Sequence, residues 1–154
     1  LNFCKNQEGI EPTEANAQIV ANMRDQAELL VKSFPEIESI IKQLKEQGYK
    51  VGLASNSSTF AIENLKQKIA ILNLLDFCVF SYTEGVNEVK PGLKMFHKAI
   101  KLAGCKPEEA IMVGDKKESD IDPAKKVGMK GILYIPGDFK KLKQDFAKFG
   151  IQLK

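Results

Sequence analysis

Three apolar runs in this 154-residue chain end in small polar clusters whose side chains are chemically complementary. Val51-Gly52-Leu53-Ala54 stops at Ser55-Asn56-Ser57-Ser58-Thr59. Phe77-Cys78-Val79-Phe80 leads through a polar stretch to Lys90-Pro91. Ile111-Met112-Val113 stops at Gly114-Asp115, with Asp120 five residues further on. The clusters supply a hydroxyl with amides, a cation, and a pair of carboxylates. Phosphate chemistry needs that set. Phosphoryl oxygens take hydrogen bonds from a hydroxyl such as that of Ser55 and from backbone N–H groups at a helix start. A fixed cation such as Lys90 answers the negative charge that spreads over those oxygens. A hard divalent ion such as Mg²⁺ takes one or two carboxylates, here Asp115 and Asp120, with water and phosphate for the rest.

Each cluster has a plainer reading. Ser-Asn-Ser-Ser makes turns and helix N-caps, a lysine before proline is usually a surface charge, and Gly-Asp after a strand is a common turn. His97, the single histidine, falls mid-helix and receives no role. What favours chemistry is the conjunction: three polar elements, each at a strand end, in a fixed order.

The elements that must hold these residues alternate along the chain. Residues 13–33 carry Ile19, Met23, Leu29 and Leu30 at helical spacing, and Pro35 restarts a helix in which Ile37, Ile40, Ile41 and Leu44 share a face up to Gly48. Strands are expected at 49–54, 77–81, 110–114 and 131–135. Helices are expected at about 59–72, around Leu93, Phe96 and Ile100, near 120–127, and over 138–149. Short apolar strands separated by helices predict an α/β doubly wound fold, a mostly parallel sheet with helices on both faces. Ligands bind such sheets at the carboxyl ends of the strands, where the polar clusters fall.

Bulk properties narrow the class. Hydrophobic residues make up 44% and charged residues 28%, as in soluble globular domains. No apolar run reaches the ~20 residues that cross a bilayer, so no membrane partner is expected. Net charge is only +3, and the lysine pairs at 116–117, 125–126 and 140–141 alternate with acids. They read as solvated helix faces, so no nucleic-acid partner is expected. Cys4, Cys78 and Cys105 are odd in number and widely spaced, which favours a reducing, cytoplasmic setting over a disulfide framework. The first residue is Leu1, and the chain is read as a processed or truncated product.

These residues resemble the motifs of the haloacid-dehalogenase-like (HAD) hydrolase superfamily. VGLASNS is similar to its second motif, EVKPGLKMF to its third, and IMVGDKKESDIDPAKKVGMKGI to its fourth with the trailing helix. FPEIESIIKQLKEQGYK resembles the helix that leads into the second motif, so the likeness spans roughly residues 34–136. It implies a Rossmann-like core in which Ser55 binds the transferring phosphoryl group with support from Asn56. Lys90 would stabilise that group and the nucleophile's charge, and Asp115, assisted by Asp120, would hold Mg²⁺. The implied activity is a Mg²⁺-dependent phosphatase acting on a small phosphorylated metabolite.

The family's first motif, Asp-x-Asp-x-Thr, supplies the nucleophile of an aspartyl-phosphate intermediate and the general acid/base. It does not occur here. The one Asp-x-Asp, Asp120-Ile121-Asp122, belongs to the fourth motif. In the family the first-motif strand lies in the middle of the sheet. Residues 1–33 are therefore expected to be the end of a helical cap or connector, and residues 34–154 an α/β core lacking its first strand. The nucleophile would lie on an upstream segment of the same protein. Competing readings are a catalytically inactive HAD-like binding or regulatory module and a haloacid dehalogenase, whose reaction does not need the metal-binding acids. A signalling receiver domain places its acids before Ser/Thr and Lys, whereas the order here is Ser55, Lys90, Asp115. Neither substrate identity nor oligomeric state follows from these residues.

Overall fold

The structure, a computed structural model, describes residues 34–56 and 70–154. The helix expected over 13–33, the cap assignment of residues 1–33 and most of the helix expected over 59–72 lie outside the described residues. Within them, helix α1 (Pro35–Glu46) starts on proline and buries Ile40, Ile41 and Leu44. Gly48 then adopts φ +85°, a left-handed conformation that turns the chain out of the helix at little steric cost. Strand β1 (Gly52–Ser55) follows, and a 3₁₀ turn (Ala70–Leu74) precedes β2 (Phe77–Phe80). Helix α2 (Lys94–Ala103), β3 (Ile111–Gly114), a π-helical turn (Lys117–Ile121), α3 (Asp122–Lys126), β4 (Lys130–Leu133) and α4 (Phe139–Ala147) complete the order.

All strand pairing among the described residues is parallel. Gly52 stands opposite Phe77 and Ser55 opposite Phe80; Ile111 stands opposite Lys130 and Gly114 opposite Leu133. Helices cover both faces. Val51 and Ala54, an odd number of positions apart, point to opposite sides of β1. Val51 packs into a cluster built on Ile40 and Leu44 of α1, Ile132 of β4, and Leu142 and Phe146 of α4. Ala54 packs with Val79 of β2, Val86, and Met95 of α2. The architecture is the expected α/β one.

The sheet is divided. β1 pairs only with β2 and β3 only with β4 among the described residues. A cavity of about 630 Å³ lies between the pairs, lined by Gly52, Leu53 and Ala54 on one side and Ile111, Met112 and Val113 on the other. Backbone polarity shows which groups face it. The carbonyls of Val51 and Ser55 accept from Asp76 and Ser81 on the β2 side, so Gly52 and Ala54 turn theirs to the open edge. The carbonyls of Ala110 and Gly114 accept from Lys130 and Tyr134 on the β4 side, so Ile111 and Val113 likewise face the cavity.

One clasp ties α1 to both strands of the first pair. Asp76 accepts from Lys45 Nζ at 2.6 Å and from the Val51 N–H at 2.8 Å, while its own N–H donates to the Val51 carbonyl. The Lys45 ammonium, then the Val51 N–H, hold the Asp76 carboxyl below the usual range. A lowered folded-state pKa contributes stability that is complete above the unfolded value, about 3.9, and is lost as pH falls through the folded value. Asp76→Asn should therefore flatten the fall of melting temperature below about pH 4 relative to wild type. Identical acid limbs in a pH series of melts would remove the clasp from the account.

Candidate active site at the carboxyl edge of the strands

The ends of β1, β2 and β3 bring the sequence-selected residues into one cluster. Lys90 enters it from the loop after β2 and is anchored at both ends by β1. Its backbone N–H donates to Asn56 Oδ1 at 2.8 Å, and Asn56 Nδ2 donates back to the Lys90 carbonyl at 3.3 Å. Its ammonium donates to the Ala54 carbonyl at 3.1 Å, on the edge of β1 that faces the cavity. Ser55 lies between these two anchor residues in the chain.

The same ammonium reaches Asp120 Oδ1 at 2.6 Å. The Lys90 side chain is 12% exposed and that of Asp120 5%, so the pair is shielded from water and from salt screening. Asp120 Oδ2 accepts from the Lys116 N–H at 3.1 Å, which leaves both carboxylate oxygens engaged. Gly114 permits this approach: a Cβ there would stand 2.4 Å from Asp120 Cβ, closer than any side chain tolerates. Asp115, the next residue, is exposed at the end of β3. His97 is exposed on α2.

Among the described residues no group of three acid, histidine or cysteine side chains converges on a cation site. The donors at hand are Asp115, exposed, and Asp120, already bonded through both oxygens. Hard carboxylate oxygens in that number suit an ion that keeps most of its water, as Mg²⁺ does. Asp115 and Asp120 are the residues here that could hold such an ion.

A comparison with protein families matches residues 4–134 to the haloacid dehalogenase-like hydrolases. The chain belongs to the haloacid dehalogenase-like hydrolase family. Among curated relatives, a glyceraldehyde 3-phosphate phosphatase from Pyrococcus furiosus is 37% identical over 124 residues, 77% of this chain and 49% of the relative. A pyrophosphatase, PpaX, from Bacillus cereus is 36% identical over 91 residues, 59% of this chain and 41% of the relative. The chain thus spans about half the length of the curated relatives it matches. A HAD phosphatase from Thermococcus onnurineus superposes with a TM-score of 0.65 at 26% identity, covering 79% of this chain and 60% of that one. A β-phosphoglucomutase from Clostridium difficile shares the fold, with a TM-score of 0.68 at 19% identity over 99% of this chain and 75% of its own.

Within this HAD chain, Ser55, Asn56, Lys90 and Asp120 are joined through hydrogen bonds or chain adjacency, and Asp115 flanks them at the end of β3. Sequence reasoning passed over Ser81. It ends the apolar run of β2 as Ser55 ends that of β1, and that parallel was the available signal. Ser81 is 2% exposed, and its Oγ donates to the Asn56 carbonyl at 3.3 Å.

Proposed function

We propose that this chain is the larger part of the catalytic core of a Mg²⁺-dependent phosphoric monoester hydrolase acting on a small phosphorylated metabolite. The observation that carries the reading is the Lys90 ammonium, held between the Ala54 carbonyl and Asp120 at the carboxyl edge of the strands, with Ser55 the residue after Ala54. A phosphoryl group bound there would take a hydrogen bond from the Ser55 hydroxyl and face the Lys90 charge. Asn56 contributes by holding the Lys90 peptide. Preorganised donors of this kind are each worth about 10²–10³ in kcat.

Mg²⁺ bound by Asp115 would supply Lewis-acid stabilisation of the phosphoryl oxygens. The attacking carboxylate, as in the family's aspartyl-phosphate chemistry, would stand on an upstream strand between β1 and β3. Its attack on phosphorus forms the acyl phosphate and releases the alcohol; water then hydrolyses the acyl phosphate to inorganic phosphate. Three-carbon sugar phosphates, of the kind named for the Pyrococcus relative, are the first substrates to try. Among the described residues Cys78 and Cys105 form no disulfide. None of the described helices is long and apolar enough to cross a membrane.

The test is hydrolysis of p-nitrophenyl phosphate and glyceraldehyde 3-phosphate by the full-length protein across a Mg²⁺ titration. Asp115→Asn should raise the Mg²⁺ needed for half-activation by about tenfold or more, within the 10–100-fold range found when metal-site partners are lost. Asp120→Asn should raise it less, because both Asp120 oxygens already have partners. Equal and negligible effects on Mg²⁺ activation would remove both residues from the metal site.

A further inference from the structure

Lys90 is held by a closed circuit of bonds. Ala54, Ser55 and Asn56 are consecutive; Asn56 grips the Lys90 peptide, and the Lys90 side chain returns to the Ala54 carbonyl. The reach of the ammonium is therefore set by where the Asn56 peptide lies. That peptide is fixed in turn by Ser81. The Ser81 N–H donates to the Ser55 carbonyl at 3.2 Å, extending the β1–β2 ladder by one step, and its Oγ donates to the Asn56 carbonyl at 3.3 Å. The Ser81 carbonyl accepts from the Glu88 N–H at 3.1 Å, which folds the loop bearing Lys90 back onto the strand ends.

We infer that Ser81 is a positioning residue: through Asn56 it latches the Lys90 loop to β1 and so sets the distance between the Lys90 ammonium and the anion held at Ser55. The acceptor is the Asn56 backbone carbonyl, one residue past the end of β1, and among the described residues the Ser81 hydroxyl is the donor that reaches it. Alanine would leave the Ser81 backbone bonds intact and remove only the link to Asn56. The anion-binding consequence rests on the phosphatase reading above; the placement of Lys90 does not.

The experiment has two arms, both on the full-length protein. In the first, lysines are reductively methylated under limiting reagent and rates are read peptide by peptide. Lys42 and Lys148, with side chains 55% and 69% exposed, serve as internal references. Ser81→Ala and Asn56→Ala should each speed Lys90 modification about threefold to tenfold, the equilibrium worth of one hydrogen bond, with the references unchanged. Ser81→Thr, which keeps the hydroxyl, should behave as wild type. In the second arm, Ser81→Ala should raise the inhibition constant for inorganic phosphate by a similar factor, a readout that a mere loss of folded protein does not move. Unchanged Lys90 reactivity in folded Ser81→Ala overturns the latch, whatever Asn56→Ala does. Should Ser81→Ala unfold, seen as uniform speeding of all lysines, Ser81→Cys, close in size but a far weaker donor, takes its place and should speed Lys90 likewise. Wild-type protein that neither binds phosphate nor hydrolyses esters would overturn the phosphatase reading, while the labelling arm still decides the latch.

Discussion

Lys90→Met in the full-length protein should abolish turnover of phosphate esters and lower the melting temperature by about 10 °C, both by removing one charge. The stability part follows from burial. Asp120 is 5% exposed, and its shortest partner is the Lys90 ammonium at 2.6 Å. Removing one member of a buried pair leaves an uncompensated carboxylate, which costs about 3–5 kcal/mol. For a domain of this size each kcal/mol shifts the midpoint by roughly 2–4 °C. The Lys116 N–H and any water that enters offset part of this, so the expectation sits near the lower half of the product. The turnover part follows from position, since no other cation bonds the Ala54 carbonyl among the described residues.

The two effects separate in the double variant Lys90→Met/Asp120→Asn. Neutralising the stranded carboxylate should recover most of the lost stability, because the pair is then replaced by neutral groups of similar size. Turnover should stay absent. Melts of the two single variants and the double variant give the coupling between the residues, and ester hydrolysis of the same samples gives the chemistry. A double variant no more stable than Lys90→Met would show that Asp120 does not depend on Lys90 for its burial.

How much of this was legible in the residues depends on whether the signal was local. The start of α1 at Pro35 and its end at Gly48, the burial of Ile40, Ile41 and Leu44, and the strands at Phe77 and Ile111 follow from periodicity and turn chemistry. The strand after α1 is shorter than expected, Gly52–Ser55 against 49–54. Just before it, the Val51 N–H goes to the Asp76 side chain rather than to a ladder carbonyl, which hydrophobicity does not report. The short helix expected near 120–127 divides into a π-helical turn and α3, and the wider turn carries Asp120 back over Gly114. That fold-back pairs Asp120 with Lys90, thirty positions away, and no local pattern encodes such a pair. Ser81 was hidden for the same reason: its meaning lies in the Asn56 carbonyl across the ladder, not in its neighbours along the chain.

The divided sheet bears on the largest expected effect, gain of function by strand insertion. Gly52 and Ala54 of β1, and Ile111 and Val113 of β3, turn backbone groups toward the cavity between the pairs. Among the described residues only the Ala54 carbonyl in that set has a partner, the Lys90 ammonium. Each backbone group left dry and unsatisfied costs about 1–3 kcal/mol, while water that enters to satisfy it wets the apolar side chains lining the slot. The two apolar clusters lie on opposite faces of the sheet, the α1–α4 cluster on one and the α2 cluster on the other, and both border the slot. An extended apolar segment running parallel to β1 and β3 would satisfy both edges at once and add side chains alternately to the two clusters. Its carboxyl end would emerge beside Ser55, Lys90 and Asp115, where the proposed nucleophile has to stand. The 154-residue chain alone should therefore melt broadly and hydrolyse no phosphate ester. Supplying the upstream segment, fused or as a separate peptide, should restore a single cooperative transition and turnover of p-nitrophenyl phosphate. The readouts are calorimetry and ester hydrolysis with and without that segment, on mass-verified protein. Turnover by the 154-residue chain alone would place the nucleophile within it and overturn the scheme. A sharp melt with no turnover, unaltered by the segment, would instead support the binding-module reading.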